Sequence, residues 1–104
     1  MTAFFPSDAE MMARTFGIVL GAASCNEAVS HDRLQAAGEK MKNVLAAAAN
    51  NHAEEEAACD RFSASVVAGR RAAQSGEIED WAAENALRQL EEDLESAEVI
   101  LVAC

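Results

Sequence analysis

The only proline of the chain, Pro6, lies among its first residues, and from Ser7 onward no position forbids a helix by lacking an amide hydrogen. The rest of the chain is open to continuous helix. Alanine, leucine and glutamate dominate it and tyrosine is absent, which favours helix over strand wherever a segment must choose. The expected fold class is all-α, an antiparallel helical bundle. With 104 residues there is room for one modest core, so residues 1–104 read as a single domain with residues 1–6 as a short lead-in.

Periodicity divides the chain. Ser7 and then Glu10 have the spacing of a capping box and start a first helix over about Asp8 to Ser24, with Met12, Phe16, Val19 and Ala23 on one face. From Phe16 to Ala23 this helix is apolar on every side, which marks it as buried. Asn26 and Ser30 supply turn and cap chemistry, and a second helix begins near His31 with Leu34, Met41, Leu45 and Ala48 in register. Ser75 and Gly76 break the chain again. The last helix, about Glu77 to Val102, carries Ala83, Leu87, Leu90, Leu94, Ala97, Leu101 and Cys104 at three and four residue intervals, the strongest periodic signal present.

Between these, the stretch "NVLAAAANNHAEEEAAC" has two readings. Asn50 suits the left-handed close of one helix, Asn51 suits the N-cap of the next, and Glu54 completes a capping box, with Glu54, Glu55 and Glu56 favoured in a first turn by the helix dipole. That reading makes a four-helix up-and-down bundle. Against it, Leu34, Gly38, Met41, Leu45, Ala48, His52, Glu55, Cys59, Phe62, Val66, Gly69 and Ala73 share one unbroken ladder. A single long central helix generates the same pattern, leaving three helices that pair in a dimer. The break is the favoured expectation.

Charge narrows the function. Lys and Arg number 8 against 18 Asp and Glu, a formal charge of −10 that repels a phosphate backbone and an anionic bilayer alike. Neither nucleic acid nor membrane is an expected partner; another protein, a basic one, fits better. Cys25, Cys59 and Cys104 show no paired short spacing, which suits reduced thiols in a cytoplasmic protein. The stretch "FGIVLGAASC" resembles an exported lipoprotein leader only superficially, since Asp8 and Glu10 precede it and the apolar run is short.

Chemical motifs are scarce. No glycine-rich phosphate loop, nucleophile elbow or nucleotide fingerprint occurs, and "HDRLQAAG" from His31 lacks the lysine and glycine that come just after the histidine of four-helix phosphotransfer modules. No catalytic residues and no cofactor are expected. The alternative to a purely binding role is a metal-binding bundle that uses Glu27, His31, His52, Glu55 and Glu56, because hard ions take carboxylates and imidazoles from several helices. Its usual Glu-x-x-His element is missing, and His52-x-x-Glu55 runs in the reverse order.

Apolar sequence without an evident internal partner points elsewhere. "VILVAC", Val99 to Cys104, covers the whole circumference of a helix, and Phe4, Phe5, Met11 and Met12 are similar in kind. Phe4, Phe5, Leu94, Leu101 and Val102 are therefore the candidate interface residues. The favoured function is that of a small acidic non-enzymatic protein acting through protein–protein interaction as a homodimer, in the manner of an adaptor, chaperone or regulator.

Overall fold

The computed structural model describes residues 8–101, with side chains described as far as Ala97. Its helices are α1 (Asp8–Ser24), α2 (His31–Ala48), α3 (His52–Gln74) and α4 (Asp80–Leu101). Phe4, Phe5, the Ser7 cap and Val102 lie outside the described residues, as does the side chain of Leu101. The helical bundle is all-α over the described residues.

The break at the asparagines is real, and the single long helix is corrected. Asn51 is an extended N-cap whose side-chain oxygen accepts from the Glu54 amide at 2.9 Å. The Glu54 carboxylate reaches back to the Asn50 amide at 2.7 Å. The Glu54 amide, which the start of α3 would leave orphaned, and the Asn50 amide just before the cap are thereby both satisfied by side chains. The expected left-handed Asn50 is not found, because the only described residue with positive φ is Gly76. Instead Ala49 donates its amide to the Leu45 carbonyl and turns extended at ψ 139°, so the chain leaves α2 without a left-handed residue.

Other boundaries rest on similar bookkeeping. Ser30 caps α2 by accepting from the Arg33 amide. At the far end of α3, Gly76 takes φ 84° while the Glu77 and Ile78 amides both turn back to the Ala72 carbonyl. Those two residues are spent closing α3, and α4 therefore starts at Asp80 rather than near Glu77.

The helices alternate in direction but pack unevenly. In a square up-and-down bundle each helix leans mainly on its sequence neighbours. Here the most extensive contact is between α1 and α3, which run parallel, and α3 scarcely meets α4. A second parallel pair, α2 and α4, packs on the other side of α1. The result is flat, with Cα extents of 41 × 35 × 16 Å. α1 touches all three other helices, which explains why its sequence from Phe16 to Ala23 is apolar all round.

The buried face of α1 is set by small residues as much as by large ones. Ala9, Ala13, Gly17 and Gly21 recur every fourth position and are buried, whereas Met12, Phe16 and Val19 are only partly so. Gly17 and Gly21 meet α3, and Gly69 of α3 meets α1. A Cβ at Gly17 would lie 2.6 Å from that of Ser65, one at Gly21 would run into the Val66 carbonyl, and one at Gly69 into the Ile18 carbonyl. Helices come this close only where side chains are nearly absent. Across α1, the larger core residues Met41, Val44 and Leu45 of α2 and Leu87, Leu90 and Leu94 of α4 are almost fully buried, as their periodicity predicts.

Candidate functional site

His52 opens α3 and points outward, its side chain 82% exposed. Its Nδ1 lies 3.9 Å from a Glu55 oxygen and its Nε2 3.8 Å from a Glu56 oxygen, loose approaches between groups one turn apart. With Cys59 and Asp60 these residues line an open depression on one helix. The other half of the proposed metal set is elsewhere. Glu27 and His31 are exposed at the start of α2, and that 18-residue helix separates them from His52 by ~27 Å. The fold therefore does not assemble Glu27, His31, His52, Glu55 and Glu56. Among the described residues no group of three or more His, Cys, Asp or Glu side chains is placed to hold a metal ion.

A tighter polar cluster was not visible in the sequence. Arg33, in the first turn of α2, is held by two carboxylates of α4 one heptad apart. Its Nε donates to both oxygens of Glu91 at 3.0 Å, its Nη2 to Glu91 Oε1 at 2.7 Å, and its Nη1 to Glu84 Oε1 at 3.2 Å. Arg88 donates to the other Glu84 oxygen at 3.0 Å. The hydrogen bond from Arg33 holds the Glu84 carboxyl below its ordinary range, assisted by the charge of Arg88, while the Arg33 guanidinium is raised further by Glu91. These groups satisfy one another, so the cluster fixes α2 against α4 and has no evident capacity left for a ligand. Nearby, Asn26 is buried and ties the α1–α2 connection to α4, donating to the Asp80 carbonyl at 3.1 Å and accepting from the Ala28 amide at 2.9 Å.

The interface candidates fare differently from one another. Leu94 is fully buried inside the chain, so its apolar surface is used in the monomer's own core. Leu101 ends the described part of α4, and Phe4 and Phe5 precede α1. α4 enters beside Asn26, at the C-terminal end of α1, and runs antiparallel to α1. The start of α1 and the end of α4 therefore share one end of the bundle.

At that same end α1 and α3 form an open groove of about 600 Å³. Glu10, Met11 and Arg14 line it from α1 and Ala57, Asp60, Arg61 and Ala64 from α3, with Met11 57% exposed. Met11 stands out in the sequence as one of the apolar N-terminal residues, but nothing there pairs it with α3, because proximity across some 50 positions leaves no local signature. Trp81, also exposed, is at the start of α4 and donates its indole hydrogen to Glu79.

No protein-family model, curated protein or solved structure matches this chain. No described helix is long and apolar enough to cross a membrane.

Proposed function

We propose that this protein acts without catalysis, by binding protein, and that it associates with itself through the bundle end where α1 begins and α4 finishes. The observation that carries this reading is that the described start of α1 and the described end of α4 share one end of the bundle, where apolar sequence adjoins each. In the sequence Phe5 and Phe4 come three and four residues before Asp8, and Val99, Ile100 and Leu101 end the described part of α4, with Val102 next. Apolar residues that come near one another are favoured to leave water together, and a second copy carries the same sequences by symmetry. A basic protein is the further partner that the charge of −10 suits. A reducing, cytoplasmic setting belongs to the same reading, since Cys25, Cys59 and Cys104 show no paired short spacing in the sequence.

Sedimentation at micromolar concentration tests the reading. The intact chain should have a mass near twice 11.0 kDa. Leu101→Glu should shift it towards one copy, because a carboxylate in an apolar contact is desolvated without a partner. A monomer at high concentration would remove self-association.

A further inference from the structure

We infer that a second copy of the chain docks along the α1–α3 groove, with Arg14 and Arg61 of each copy facing Asp60 and the acidic start of α1 of the other; this rests on the self-association proposed above and names its surface. Met11, the exposed apolar residue on the groove, lies between Glu10 and Arg14, and alanines at 57 and 64 keep the α3 side shallow enough for another helix to approach. Arg14, Asp60 and Arg61 make no ion pair with any described residue.

Charge selects the occupant. Two copies of a chain with charge −10 repel, and they repel least through a face where acids and bases balance. The groove is such a face, with Glu10 and Asp60 against Arg14 and Arg61. A two-fold contact requires a surface complementary to itself, so a residue at one position meets a different position on the other copy. Mixed charge around an apolar centre has that property. A uniformly acidic helix would set Asp60 against like charge, and a uniformly basic one would do the same to Arg14 and Arg61. Because the groove adjoins the bundle end described above, one two-fold interface includes both.

The test uses two variants of the full chain, each checked for unchanged helical circular dichroism. Arg14→Glu/Arg61→Glu makes the groove acidic, and Asp60→Arg makes it basic; each alone should dissociate at least tenfold more readily than the parent. An equimolar mixture should recover pairs in which one copy of each kind is present, read by native mass spectrometry. If the parent is dimeric and both variants pair as tightly as it does, the groove is not the seat, although self-association stands. Variants that dissociate and do not recover on mixing also overturn the inference, because complementary charge is then not what holds the copies. A monomeric parent removes the inference and the reading beneath it together.

Discussion

The two parallel helix pairs of this bundle are held together by opposite means. Between α1 and α3 the contact is made by missing side chains: Gly17, Gly21 and Gly69 bring backbone against backbone. Between α2 and α4 it is made by large ones, with Leu87, Leu90 and Leu94 buried on α4, Met41 and Leu45 buried on α2, and Arg33 clasping Glu84 and Glu91 at the edge. The first contact gains dispersion energy from many close atoms but removes little apolar area from water. The second depends on apolar area. Each seam should therefore fail under the change that the other tolerates.

The largest effect is expected where volume is removed from the leucine side. Leu87 is fully buried, and Leu87→Ala should lower the unfolding free energy by about 3 kcal/mol, within the usual ~2–5 kcal/mol for such a cavity. A urea midpoint that scarcely moves would show that α4 is less firmly packed than its burial implies. On the glycine side the damage comes from adding one carbon. Gly21→Ala improves helix propensity by ~1 kcal/mol, but its methyl meets the Val66 carbonyl, a backbone atom that cannot swing aside. Net destabilisation of about 2 kcal/mol should result. Gly38, in α2, has open space where its Cβ would be, and the same substitution there should stabilise by ~0.5–1 kcal/mol. Opposite signs at the two glycines would establish the close approach; stabilisation at both would refute it.

The two seams also differed in how far sequence revealed them. Leu87, Leu90 and Leu94 stand out from polar neighbours, so their periodicity identified the buried face of α4 directly. The break before α3 was equally legible, since Asn51 and Glu54 are local partners and the capping chemistry is complete within a few residues. In α1 the signal was blurred: an alanine and glycine stripe has little contrast with the Met, Phe and Val beside it, so the larger residues drew attention from the smaller ones that touch α3. Arg33 with Glu84 and Glu91 had no signature at all, because 51 and 58 positions separate the partners. The same applies to the groove, whose sides come from different helices. As for the metal set, residue types alone suggest that Glu27 and His31 could join His52, Glu55 and Glu56, but the length of α2 places the two groups at its opposite ends.

The smallest expected difference between the seams is in their response to pH. Arg33 lowers the carboxyl of Glu84 in the folded chain from an ordinary value of 4.5, while Arg33 itself stays protonated throughout. A carboxyl lowered by folding stabilises the fold while ionised. That contribution is complete above its ordinary value and disappears as pH falls through the depressed folded value. Because both partners are partly exposed, water and salt screen the pair and the effect is modest. Melting temperatures of the parent and of Glu84→Gln should differ by a constant amount from about pH 7 to pH 6 and converge as pH drops below about 4.5. The cost of Gly21→Ala should stay level across the same range, since the atoms that a methyl at Gly21 would strike belong to the backbone of Val66 and Arg70 and do not titrate. If instead the Glu84→Gln difference persisted unchanged at low pH, the carboxylate charge would not be what it loses, and the clasp on α4 would reduce to neutral hydrogen bonding and packing.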